Sequence, residues 1–361
     1  AWIMDDDTPR TRVLGMLKIE RGMASDAIAA LCDGGRFAPA PLSDAERAAL
    51  ASLTSADPRT AYRSLLTAYL PPMTPKSLAR LQLAGAALLF STGGAAIKAA
   101  DFTGWQIASF RSGLAAVALW LMTPAARRGW TWAGALVGVA YAGCLTLFVL
   151  ANRLTTAANT IFLQSTAPLY LLILAPWLLK EPVRRQDLGF MATVAAGLAL
   201  FFVGVEQPIV TAPDPDRGNL LAMGSGLCWA LAVGGLRWLS AAPGRGSPAA
   251  AVVSGNLTAF LVSLPMALPV GSHGPGDWAI IGYLGIFQIA LAYVFVTSAI
   301  HSIPALEASV ILLLEPVLNP VWAWIIQRET PGGWALLGGA IILGATTYKS
   351  WSESRVAAPV T

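Results

Sequence analysis

Charge is scarce in this chain: Asp, Glu, Lys and Arg make up 12% of its 361 residues, where a soluble domain carries about 25%. That deficit argues against an ordinary water-soluble enzyme. Histidine is scarcer still, with only His273 and His301, so neither a histidine-based zinc cluster nor an HExxH helix can be built, and no resident metal is expected. Three cysteines, Cys32, Cys144 and Cys228, show no CxxC spacing and read as small buried residues rather than a disulfide framework. The chain has no GxxxxGK[ST] loop and hence no ATP-driven motor of its own. It has no Lys- or Arg-rich run to neutralise phosphates, so the net charge of +4 does not point to a nucleic-acid partner. No apolar stretch holds paired aspartates or a Ser-His couple, so an enzyme with its cofactor is not expected.

Hydrophobic residues, in contrast, make up 55%. The excess begins near Ser77, before which nine basic and nine acidic residues balance. Residues 1–77, with Asp5-Asp6-Asp7 where a signal peptide would be basic and then apolar, do not read as a secretion signal. They are expected to form a poorly ordered cytoplasmic extension or to be foreign to the apolar remainder of the chain. Beyond them lie ten stretches with the roughly 20 apolar residues that a helix needs to cross a bilayer. They run Leu81 to Ala99, Trp105 to Thr123, Trp132 to Ala151, Thr155 to Leu178, Asp187 to Gly204, Gly218 to Trp238, Pro248 to Pro269, Asp277 to Ala299, Ile303 to Ile326 and Gly332 to Trp351. Most tryptophans fall at or near their ends, where an indole ring favours the headgroup level. With the N-terminus inside, eleven Lys and Arg lie in the inner connections and four, Lys98, Arg153, Arg217 and Arg328, in the outer ones. Both termini are therefore expected in the cytoplasm.

The chain also repeats itself. At a constant offset of 148 residues, Trp130 maps to Trp278, Pro168 to Pro316 and Glu181 to Glu329. Five spans per copy is an odd number, so the second copy enters from the opposite side. The expected fold is an all-α membrane protein of ten transmembrane helices in two inverted-topology five-helix repeats, 78–206 and 207–351, with a cytoplasmic tail, 352–361. Secondary transporters are built in this way, with a substrate site near the midplane.

The motifs Thr166-Ala167-Pro168-Leu169 followed by Lys180-Glu181-Pro182, and Leu314-Glu315-Pro316-Val317 followed by Glu329, together with Arg111 and Leu227-Cys228-Trp229-Ala230, resemble the EamA-type carriers of the drug/metabolite transporter superfamily. The resemblance covers about Leu78 to Trp351 and is greatest to the YddG-type exporters of aromatic amino acids and related metabolites. It implies a bacterial inner-membrane exporter, with a central cavity lined by the first, third, fourth, sixth, eighth and ninth spans.

At the centres of those six spans stand Phe90 and Ser91, Tyr141, Gln164, Trp229, Gln288 and Glu315. Polar groups at one depth in lipid are expected to share a wet cavity. Aromatics with primary amides suit an amino acid or similarly mixed small molecule. Glu315 would either receive an amine, load a proton, or satisfy backbone groups freed by Pro316 and Pro320. Glu307, Ile311, Glu315 and Asn319 form one helical stripe that should face protein or water. Pro168 and Pro316 are expected to bend their helices for gating. Arg111, shallow in the second span, is expected to snorkel to the outer headgroups, with an ion pair as the other option. His301 reads as a solvated loop residue. Gly134 and Gly138, and Gly338, Gly339 and Gly344, are expected to let helices approach closely. The partners expected are a small-molecule substrate and the bilayer, with the protein a monomer. Two other carriers fit in outline: a proton-coupled multidrug or cation antiporter, and an exchanger of nucleotide-sugars or sugar phosphates. The phosphate carrier would need Lys or Arg at cavity depth.

Overall fold

Serine, threonine or aspartate stands at the start of many of the helices, its side chain accepting from a backbone N–H that the first turn leaves free. Thr74, Thr103, Thr131, Thr156, Asp214 and Ser247 all cap in this way. Thr103 forms a capping box with Gln106. Proline occupies the first turn after several caps, at Pro75, Pro215 and Pro248, where its missing N–H costs nothing. The computed structural model describes residues 74–178, 185–203, 208–242, 244–299, 302–303 and 305–357. Lys180-Glu181-Pro182, His301 and nearly all of the N-terminal extension lie outside the described residues.

The first stretch is two helices, α1 (Pro75–Ser91) and α2 (Gly93–Ala99). Next along the chain are α3 (Gly104–Met122), α4 (Trp132–Leu154), α5 (Ala157–Gln164), α6 (Ala167–Leu178), α7 (Arg185–Ala199), α8 (Pro215–Ser240) and α9 (Pro248–Ala267). A continuous rod is made of α10 (Pro275–Gly282), a π-helical run (Tyr283–Leu291) and α11 (Ala292–Ala299). Last come α12 (Ala305–Leu312), α13 (Leu314–Gln327) and α14 (Gly333–Ala357). Among the described residues six helical stretches are long and apolar enough to span a bilayer: Trp132–Leu154, Ala157–Leu174, Pro215–Ser240, Pro248–Ala267, Pro275–Ala299 and Val310–Gln327. No strand is found among the described residues. The α14 helix runs on to Ala357, into the stretch expected to be a tail.

Three of the apolar stretches are interrupted, and side chains bond to the backbone at two of the interruptions. Thr92 parts α1 from α2, its hydroxyl donating to Leu89 O at 2.7 Å and lying 2.8 Å from the Tyr283 hydroxyl. Ser165 and Thr166 part α5 from α6 and donate to Ile161 O and Leu163 O. Leu313 parts α12 from α13, at the same 148-residue offset from Ser165 that relates the two halves of the sequence. Pro168 and Pro316 consequently sit in the first turn of α6 and α13 rather than kinking an unbroken helix. The expected bend is a break, with each proline just beyond it, in a turn that lacks one N–H partner anyway.

The helices pack in a fixed set of pairs. Helix α4 lies against α8 and α9, and α3 against α9 and the π-helical run; α1 lies against α11 and α13, α5 and α6 against α8, α7 against α14, and α5 against α13. Small residues set the distances. A Cβ added at Gly138 would lie 2.9 Å from Gly255 N, and one at Gly338 would lie 2.6 Å from Gly197 O. Gly339 abuts the Phe162 ring in the same way. Gly344, in contrast, has nothing within 4 Å, and it does not serve helix approach within the chain. Large apolar side chains such as Leu81, Val117, Trp132 and Leu261 are exposed on the outer surface, where hydrocarbon would cover them.

Candidate functional site

At the middle of the bundle lies a cavity of about 300 Å³, at the lower end of the usual range for small-molecule sites. Phe90 from α1, Tyr141 from α4, Gln164 from α5, Trp229 from α8, Gln288 from the π-helical run and Glu315 from α13 all line it. Six of the seven residues expected at mid-depth in the spans that the family resemblance implied are thus brought together, along with both prolines. The seventh, Ser91, is turned away. It is fully buried, its hydroxyl donating to Leu88 O at 2.8 Å and accepting from Trp322 Nε1 at 2.9 Å. About 100° of helical rotation separates Ser91 from Phe90, and it turns the Ser91 hydroxyl toward Trp322 of α13 instead.

Some of the wall residues are held from behind. Gln164, the last residue of α5, donates through Nε2 to Ser225 Oγ at 2.9 Å, and Ser225 donates to Cys144 O at 3.0 Å. Gly226 allows this approach, because a Cβ there would come within 3.1–3.3 Å of the Leu163 and Gln164 backbone. Three residues later Trp229 meets Tyr141, ring centroids 6.1 Å apart at 43°. Gln288 is buried with Oε1 unpartnered, and its amide nitrogen lies 2.8 Å from where a Cβ on Gly93 would be. Glu315 stands in the first turn of α13, not at mid-helix as the unbroken pattern suggested. The N-terminal end of a helix favours a carboxylate, and Glu315 makes no ion pair with a described residue.

Arg111 corrects the sequence-based expectation. Instead of snorkelling it is 1% exposed and lines the cavity, its Nη2 donating to Leu145 O at 2.9 Å. Position along the span was the wrong guide, because depth counts residues while direction depends on the face that α3 presents to α4. Sequence reasoning also missed Tyr293, Phe148 and Cys144 as wall residues. Arg111 alone had a signal, its place in the motif set that resembled a known family.

Toward α2 the space is filled. A Cβ at Gly94 would lie within 2.8–3.0 Å of Asn319, Ala157 and Asn152 side chains, and Gln327 donates to Ala95 O at 2.7 Å. Lys98 and Glu329 form a buried ion pair at 2.9 Å, and Glu329 Oε1 accepts from Ala157 N at 2.6 Å. At the other end of the same stretches Arg80 pairs with Glu307. The helical stripe from Glu307 to Asn319 thus faces protein and cavity in turn, as expected.

A helical membrane protein with an amphipathic cavity between its helices is the class that this fold and site define. The model of the EamA-like transporter family matches the chain twice, over residues 78–203 and 216–349. The chain belongs to that family, whose members are membrane transporters. No curated protein matches it. Fifteen chains of solved structures do. One, described only as a crystal structure of a protein, is 18% identical, with a TM-score of 0.52 over 78% of this chain and 99% of its own. That likeness concerns the fold.

Proposed function

We propose that the protein exports aromatic and other hydrophobic amino acids and related metabolites across a bacterial inner membrane by alternating access, as the YddG-type carriers it resembles do. The observation that carries this reading is a cavity whose wall combines Phe90, Tyr141 and Trp229 with Gln164, Gln288 and Glu315. Aromatic faces stack on a flat apolar body, and the amides and carboxylate address polar ends. Ten crossings in two inverted five-helix repeats, with both termini cytoplasmic and the protein a monomer, complete the proposal.

The packing pairs support the repeat. Numbering the ten stretches in order, the third lies on the sixth as the eighth lies on the first; the third on the seventh as the eighth on the second; the fourth on the sixth as the ninth on the first. Exchanging the halves maps each of these large contacts onto another, as a two-fold relation between the halves requires. In this reading the filled layer around Gly94, Lys98 and Glu329 is the closed gate, and the breaks before Pro168 and Pro316 are hinges.

Counterflow in proteoliposomes tests the function: preloading with phenylalanine should drive uptake of labelled phenylalanine, measured with and without a pH gradient. Exchange of an organic cation or a sugar phosphate with no amino-acid exchange would overturn the reading. A rate insensitive to the gradient would remove proton loading from Glu315. Pro316→Ala restores an N–H that can bond Leu312 O and splice α12 to α13. Its transport should fall about tenfold at unchanged folded yield, a barrier change near 1.4 kcal/mol. Equal loss of yield and transport would count against the hinge.

A further inference from the structure

We propose that Arg111 receives the substrate's carboxylate in the central cavity and that Glu315, on the wall of the same cavity, receives the amine; this rests on the amino-acid reading above and specifies the chemistry of its site. The side chain of Arg111 is fully buried, yet among the described residues one hydrogen bond holds its guanidinium, that from Nη2 to Leu145 O. Its Nε has no partner, and no described carboxylate pairs with it. A guanidinium offers five N–H donors, and one backbone carbonyl leaves most of that capacity unused. A buried cation without an anion is costly, so a polypeptide that only needed to tie α3 to α4 would be better served by a neutral donor.

The second observation is that Glu315 is in the complementary condition. Among the described residues it is the one carboxylate on the cavity wall, as Arg111 is the one cation, and neither neutralises the other within ion-pair distance. A zwitterion satisfies both at once. A phosphate dianion would meet the Glu315 carboxylate, and an organic cation would meet the Arg111 guanidinium, each leaving one wall charge unpaired. Tyr141 and Trp229 then lie beside the apolar part of the ligand. The basic group at cavity depth that anionic cargo requires is present once, as Arg111, which suits a monoanionic carboxylate.

The test is competition for phenylalanine counterflow in proteoliposomes by phenylalanine itself and by its methyl ester, which keeps the amine and masks the carboxylate. In the unaltered protein the ester should compete at least about tenfold more weakly, because a buried charged donor set rejects an analogue that leaves it unpaired. Arg111→Gln should bring the ratio close to one. Arg111→Lys, which keeps the charge but not the planar fork, should give an intermediate ratio and carries the test if the glutamine variant does not fold. Equal competition by ester and acid in the unaltered protein, or an unchanged ratio in a folded Arg111 variant, would overturn the assignment while leaving amino-acid export standing. Failure of the unaltered protein to exchange any amino acid would instead remove the functional reading itself.

Discussion

Replacing Glu329 by glutamine is expected to destabilise the protein by about 3–5 kcal/mol, because it strips the counter-ion from a buried ammonium. Both side chains of the Lys98–Glu329 pair are 4% exposed or less. Around them, Lys98 also donates to the carbonyls of Thr155 and Thr211, and Glu329 accepts from Ala157 N. The pair therefore ties the end of α2, the start of α5 and the chain just past α13 into one knot. Glutamine can still accept from Ala157 N, but the charge on Lys98 is left with carbonyl dipoles alone. The melting temperature in detergent should drop by roughly 6–10 °C. Adding Lys98→Met should recover much of the loss, since replacing a whole buried pair costs far less than breaking it. A single variant that melts with the parent, or a double variant that is worse than the single, would show that the pair does not hold this end together.

Gly138→Val should be nearly as damaging, by overpacking instead of charge. The new Cβ would lie 2.2 Å from Ser254 Oγ, 2.9 Å from Gly255 N and 3.0 Å from Ala251 O. Two of those three atoms are backbone, so the clash is relieved only by moving α4 off α9. The reciprocal site is as tight, with a Cβ on Gly255 falling 2.7 Å from Gly138 O. Overpacking typically costs about 1–3 kcal/mol, and in a bilayer no hydrophobic force pushes separated helices back together. Fluorescence-detected size exclusion should show loss of the monodisperse peak for Gly138→Val. Gly344→Ala, at a position with nothing within 4 Å, should keep it. Identical profiles for the two would mean that the α4–α9 crossing tolerates separation.

These two sites differ in how far the sequence announces them. Gly138 is legible, as the second glycine of a GxxxG in an apolar helix, although Gly344 shows that the same reading fails where a helix face meets no partner. The Lys98–Glu329 pair is not legible: each residue reads as a charge at a span end, and nothing local says that two distant ends meet and close out water. The cavity is intermediate. The resemblance to a known family supplied the six lining spans, and within them Phe90, Tyr141, Gln164, Trp229, Gln288 and Glu315 were picked out by shared depth, because lipid penalises polar groups wherever they are not gathered. Ser91 and Arg111 were misplaced by the same argument, since depth says nothing of rotation about a helix axis. The π-helical run around Gln288 left no mark in the apolar pattern either, because it changes hydrogen-bond spacing without changing composition.

Composition and run length alone determined that this chain is a helical membrane protein, because hydrocarbon accepts a backbone only when its N–H and C=O groups are bonded within the segment. They determined as well where the apolar stretches lie, and the residues matched at a 148-residue offset relate the two halves. Only the tertiary structure decided which faces meet: that Arg111 turns inward, that Ser91 turns away, and that Lys98 finds Glu329. Those outcomes depend on helix rotation and close approach between segments remote in the chain, which one-dimensional periodicity does not encode.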